Sequence, residues 1–150
     1  MSQVELAYIA GLFDGEGCLH YSFKHHWYGR KENSEYWIQI TNINRPIIEY
    51  LHNVFGGGMV LDRRQGGNRR MNFAWKIVAR GTFRVLRQIA PYLRIKREQV
   101  NMLLDHETLI SKHGQRPEAE KVILRELTKR NQVFNRRGKE QQHYRNWKKE

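Results

Sequence analysis

One cysteine and three prolines are present in 150 residues. A lone thiol at Cys18 excludes an intrachain disulfide and fits a reducing, intracellular compartment, either cytoplasm or organelle matrix. No apolar run approaches the ~18 residues that a bilayer-crossing helix needs. The first apolar stretch carries Glu5 and Asp14 with no basic segment before it, so no secretory signal is expected. Acidic residues are also scarce, 15 Asp and Glu against 27 Lys and Arg, for a formal charge of +12. Such a surplus opposes folding by self-repulsion and points to a polyanionic partner, nucleic acid before an anionic membrane surface. Cys18, His20, His25 and His26 lack the paired spacing of a zinc site, and Asp105-His106-Glu107 lacks the second histidine of a zincin helix. Gly56-Gly57-Gly58 is followed by no Lys-Ser/Thr, so it reads as a turn and not a phosphate loop.

What is present suffices for a core: 39% of the residues are hydrophobic and 11% aromatic, which argues against disorder. Ser2-Gln3-Val4-Glu5 has the form of a capping box opening a helix with Leu6, Ile9, Ala10 and Phe13, which Gly15 and Gly17 should end. Leu19, Tyr21 and Phe23 then alternate with His20, Ser22 and Lys24. Tyr36, Ile38 and Ile40 alternate with Trp37, Gln39 and Thr41, so two strands are expected around a polar tip from His25 to Glu35. Arg45-Pro46 opens a second helix with Ile47, Ile48, Leu51 and Phe55 buried. A second hairpin follows, turning at Gln65-Gly66-Gly67-Asn68 and returning with Met71, Phe73, Trp75 and Ile77 against Arg70, Asn72, Ala74 and Lys76. Thr82 is expected to cap a third helix ended by Pro91, a fourth to run from Lys96 to Ile110, and a fifth to start at Pro117 with Val122, Leu124, Leu127 and Val133.

The order α-β-β-α-β-β-α with further helix implies an α+β fold, one four-stranded antiparallel sheet with helices on one face. The other face is polar and, in the second hairpin, basic: Arg63, Arg64, Arg69, Arg70, Lys76 and Arg80 stand against Asp62. Aromatic, amide and guanidinium groups on that face favour nucleic acid over membrane, because they can read base edges. By alternation the outward set is His20, Ser22, Lys24, Trp37, Gln39, Arg63, Arg70, Asn72 and Lys76.

The chemistry is concentrated in Ile9-Ala10-Gly11-Leu12-Phe13-Asp14-Gly15-Glu16-Gly17. Ala7, Gly11 and Gly15 fall four apart, a stripe that lets a second helix backbone approach closely. A carboxylate at the helix C-terminus, Glu16, faces the negative end of the helix dipole, a penalty that a bound divalent cation removes; hard oxygen ligands suit Mg²⁺. Asp14 is placed to hydrogen-bond backbone amides where the helix ends.

The nonapeptide resembles the LAGLIDADG signature of homing endonucleases, with Glu16 at the motif's last acid. The element order is similar to that family's fold, and Pro91-Tyr92-Leu93-Arg94-Ile95-Lys96 is similar to its stretch around the active-site lysine. The resemblance runs from about Val4 to about Ile110. One copy of the motif implies a homodimer, paired through the Ala7/Gly11/Gly15 stripe. It further implies site-specific cleavage of double-stranded DNA across the minor groove, with Glu16 and the Gly15 carbonyl holding Mg²⁺. Asn42 is then expected to position the nucleophilic water, Arg45 to share the pocket, and Lys96 to stabilise charge on the phosphate. Two sheets would form a saddle over the major groove. Residues 1–135 make up this domain, and 136–150 a basic tail. The rival readings are a non-cleaving protein of the same fold, an intron maturase or transcriptional regulator, and a generic basic RNA-binding protein.

Overall fold

The computed structural model describes residues 1–26, 30–56, 58, 61–63 and 72–146, and the side chains of 1–24, 32–56, 58 and 72–136. Helix α1 (Gln3–Glu16) starts on the expected capping box: the Ser2 hydroxyl accepts from Glu5 N–H at 3.2 Å, and the Glu5 carboxylate accepts from Ser2 N–H at 2.7 Å. Such a cap contributes about 1 kcal/mol. Strands β1 (Gly17–His26) and β2 (Arg30–Asn42) follow. They consume most of the expected polar tip, because strand pairing satisfies backbone groups that a loop would leave to water.

Helix α2 (Arg45–Phe55) is capped by Asn44, whose side-chain oxygen accepts from Ile47 N–H at 3.3 Å, with Pro46 in its first turn. Gly56 stops it at φ +64°, a conformation that favours glycine. Strands β3 (Leu61–Arg63) and β4 (Asn72–Val78) come next. The turn expected at Gln65-Gly66-Gly67-Asn68 lies outside the described residues, as do Arg70 and Met71.

Helix α3 (Arg80–Ile89) begins before Thr82, whose hydroxyl instead donates to the Ile77 carbonyl at 3.2 Å. A short 3-10 turn (Ala90–Tyr92) leads to α4 (Arg97–Asp105). The single helix expected from Lys96 to Ile110 is two, since α5 (Glu107–Ile110) is separate and His106 between them turns its ring nitrogen to the Met102 carbonyl at 2.8 Å. Helix α6 (Glu118–Asn146) continues beyond Phe134, past the point where the sequence turns basic.

The strand order is β1-β2-β4-β3, with β4 antiparallel to both its neighbours, in an α+β fold. Ile38 faces Ile77, Gln39 faces Lys76 and Ile40 faces Trp75, so the expected alternation of apolar and polar residues holds across this pair. The chain divides into two compact units, and the division falls within β1 and β2. In the first (Met1–His20 with Tyr36–Glu107), Ile9, Phe13, Ile40, Trp75 and Phe83 form a dry core, each at most 1% exposed. Ala74, expected on the polar face, is buried: its methyl is too short to emerge between Thr41 and Leu61, its partners on either side.

In the second unit (Tyr21–Glu35 with Thr108–Glu150), alternation fails. Tyr21, Ser22 and Phe23 are all buried, so Ser22, expected to face outward, is 2% exposed. The stretch is covered on both faces and cannot carry a polar outer side. Leu124, Leu127, Thr128 and Asn131 form the inward stripe of α6, whereas Val122 and Val133, expected inside, are exposed. Thr128 accepts from Phe23 N–H at 2.9 Å and donates to the Leu124 carbonyl, and Asn131 donates to the Tyr21 carbonyl. Glu32 pairs with Arg125 at 2.8 Å and with Lys121 at 3.4 Å.

Residues two apart on a strand turn their backbone groups to the same edge. In the second unit Tyr21 and Phe23 therefore share one edge of β1; in the first, Gln99 donates to the Leu19 carbonyl. In the second unit two buried polar side chains, Thr128 and Asn131, each take a backbone group that an open strand edge would otherwise offer to another chain. No described helix is long and apolar enough to cross a membrane.

Candidate functional site

The site is built at the last turn of α1. Glu16 is exposed there and lines a cleft of about 330 Å³ together with Thr41 and Asn42 at the end of β2, Ile43 just after it, and Asn72 at the start of β4. No basic residue occupies the last turn of α1, so its own helix offers nothing to offset the carboxylate. Asn42 is fixed by its side-chain oxygen, which accepts from Asn44 N–H at 2.8 Å. Asn72, expected among base readers, lines the same cleft as Glu16. Thr41 and Ile43 were not expected there; their signal is adjacency to Asn42 at the strand end.

Asp14 is buried and does not line the cleft. Its carboxylate accepts from three consecutive amides, Arg94 at 2.7 Å, Ile95 at 3.2 Å and Lys96 at 2.9 Å. Burial pushes the Asp14 carboxyl up, but these three amides and the Lys96 charge outweigh it and hold it below its ordinary value. The Lys96 ammonium in turn donates to the Asp14 carbonyl and lies 5.9 Å from the centre of the Phe13 ring. Burial lowers the Lys96 pKa, opposed by the nearby Asp14, Cys18 and Glu16. Amide contacts were expected of Asp14; their location some 80 residues away was not.

Arg45 is not brought to the cleft. Its guanidinium bonds Glu49 at 2.6 Å along α2 and lies 5.8 Å from the centre of the Phe73 ring. Among the described residues no group of three or more His, Cys, Asp or Glu is gathered. One carboxylate beside amide and carbonyl oxygens suits a hard cation that takes its remaining ligands from substrate and water, as Mg²⁺ commonly does.

On the sheet face, His20 stacks on Trp37 with ring centres 4.7 Å apart, and the Lys76 ammonium is 4.0 Å from the centre of the same indole. Gln39 donates to Thr41 at 3.0 Å, and Lys24 is exposed. Arg63 lies in β3 with its side chain outside the described set.

One side of α1 is exposed among the described residues. Val4 is 79% and Tyr8 56% exposed, with Ala7, Gly11 and Gly15 exposed on the same helix. A Cβ added at Gly11 or Gly15 would meet nothing within 4 Å, whereas at Gly17 it would collide with Phe13. The small stripe is therefore not spent on packing α1 against its own sheet.

Neither a protein-family model nor a curated protein matches the sequence. Solved structures do. The homing endonuclease I-CvuI, crystallised with its target in 2 mM Ca, matches with a TM-score of 0.70 at 19% identity, over 88% of this chain and 82% of that one. The archaeal intron-encoded homing endonuclease I-Vdi141I, complexed with DNA, gives 0.53 at 17% identity over 87% and 98% of the two chains. The LAGLIDADG meganuclease I-AabMI, bound to uncleaved DNA, gives 0.53 at 17% over 70% and 36%. The fold is that of the LAGLIDADG homing endonucleases. Within this LAGLIDADG fold, the nonapeptide closes α1 and the Pro91–Lys96 stretch follows the 3-10 turn. The two segments carrying the sequence resemblance meet through Asp14.

Proposed function

We propose that the protein is a site-specific double-strand DNA endonuclease that acts as a homodimer and requires a divalent cation, Mg²⁺ by preference. The observation that carries this reading is the placement of Glu16: an exposed carboxylate at the end of α1, on a polar cleft, with the Lys96 ammonium held two residues back. The likeness of fold to enzymes solved on DNA supports it, as does the charge of +12.

In this reading α1 pairs with α1 of a second copy along Ala7, Gly11 and Gly15, where the protomer leaves open space. The pairing sets one Glu16 beside each scissile phosphate across the minor groove, and the two sheets form a saddle over the major groove of a target that is at least partly palindromic. Glu16 and the Gly15 carbonyl would hold the cation. When bound, it supplies a Lewis acid to the attacked phosphate. Asn42, rigid at the cleft wall, orients the attacking water. Lys96, held beside the end of α1 though not among the residues lining the cleft, stabilises the charge that accumulates on the phosphate oxygens, and Arg45 must leave Glu49 to reach the cleft.

Sequence reading falls to His20, Gln39, Lys76 and Lys24, with Trp37 bracing His20 and Lys76; Arg63 and Arg70 join them on the sequence alternation alone. Ser22 is excluded by its burial. The experiment is selection of cleaved sites from a randomised DNA library with Mg²⁺ present. A single enriched, pseudo-palindromic site supports the reading, and binding without any cleavage rejects it in favour of a non-cleaving protein of this fold.

A further inference from the structure

We propose that Asp14 is a positioning residue for cleavage, fixing Lys96 against Glu16 by holding residue 96 at both ends. The inference rests on the endonuclease reading and assigns a role to a side chain that does not line the cleft.

A helix end can be satisfied by one or two hydrogen bonds. Asp14 does more, and none of it for its own helix. Its two oxygens take the amides of Arg94, Ile95 and Lys96, so that the backbone entering α4 is moulded around one carboxylate. The Lys96 side chain then folds back and donates to the main-chain carbonyl of the same aspartate. A lysine ordinarily samples many rotamers at the end of a flexible stem. Here both the start and the end of that stem are referred to residue 14, and Glu16 is two residues further along the same chain. The position of the ammonium relative to the end of α1 that carries Glu16 is thus set by one residue of that helix. It does not depend on two segments packing independently, which matters because misplacement of a catalytic group by about 1 Å costs rate steeply.

Asp14→Asn keeps the shape but replaces one acceptor oxygen by a donor, which faces amides and cannot accept from them. The test is a double-mutant cycle on the full-length protein with its selected DNA target. Single-turnover cleavage in Mg²⁺ and target binding in Ca²⁺ are measured for wild type, D14N, K96A and the double variant. D14N should slow cleavage tenfold or more and change binding less than threefold, and D14N added to K96A should slow it no further than K96A alone. In the free protein, amide hydrogen exchange at residues 94–96 should quicken at least tenfold in D14N, with the amides of β4 unchanged. Equal slowing by D14N in both backgrounds, or unaltered exchange at Lys96, overturns the proposal. If the wild type binds a target and never cuts it, the endonuclease reading fails, and the exchange arm still decides whether Asp14 holds Lys96. Should D14N not fold, D14E carries the same cycle, since it keeps the charge and displaces the oxygens by one methylene.

Discussion

The imidazole of His20 lies nearly flat on the indole of Trp37, 13° from parallel. β1 and β4 flank β2 on its two sides, so His20 and the Lys76 ammonium reach Trp37 from opposite directions. An aromatic ring with both faces taken cannot stack on a base. Trp37 instead acts as a strut for two polar groups, each worth roughly 0.5–2 kcal/mol of mutual attraction.

Trp37→Ala should accordingly relax preference at two neighbouring base positions, where Gln39→Ala relaxes one. Each position should lose about 1–3 kcal/mol of discrimination. Binding to single-base variants of the selected target checks this. Loss confined to one position would make Trp37 a reader in its own right.

Gly11→Leu tests the open stripe of α1. The protomer has room for a side chain at that position, so the far-UV circular dichroism should be kept while the mass in solution falls to that of one chain. Double-strand cleavage should go with it. A dimeric, fully active Gly11→Leu protein would place the pairing surface elsewhere.

Thr128→Val removes the acceptor of the Phe23 amide and leaves a buried N–H unsatisfied, at a cost of about 1–3 kcal/mol in urea unfolding. Thr128→Ser should cost far less. Equal stability of both variants would show that the edge of β1 has no need of its polar cover.

Tyr21 supplies a pH test. Burial pushes its phenol up to about 12, against the pull of Ser34 and Arg116. The folded state therefore disfavours the phenolate, and this contribution to stability is complete below the unfolded pKa of about 10 and is lost as pH rises from there through 12. Unfolding curves of Tyr21→Phe and wild type should run parallel below pH 9, and the wild type should lose more stability, by about 1–3 kcal/mol, between pH 10 and 12. Parallel curves throughout would contradict this.

Elements whose evidence is local were legible in the sequence: the Ser2–Glu5 capping box, the alternation of β2 with β4, and the acid at the end of α1. What escaped depends on partners far along the chain. Ser22 was misread because alternation presumes one wet face. Asp14 gave no hint of residues 94–96, since a carboxylate that binds amides looks the same wherever they come from. Thr128 and Asn131 did carry a signal. With Leu124 and Leu127 they repeat at helical spacing, so two polar residues on the buried stripe of α6 foretell a polar surface beneath it, here the edge of a strand.

The most direct measurement is cleavage and binding of the selected target by Glu16→Gln. The substitution removes the charged ligand at the cleft and leaves the sheet face untouched. The expected result is no detectable double-strand cleavage in Mg²⁺, with target affinity within about tenfold of wild type. Cleavage by Glu16→Gln at the wild-type rate would remove Glu16 from the chemistry and with it the proposed site.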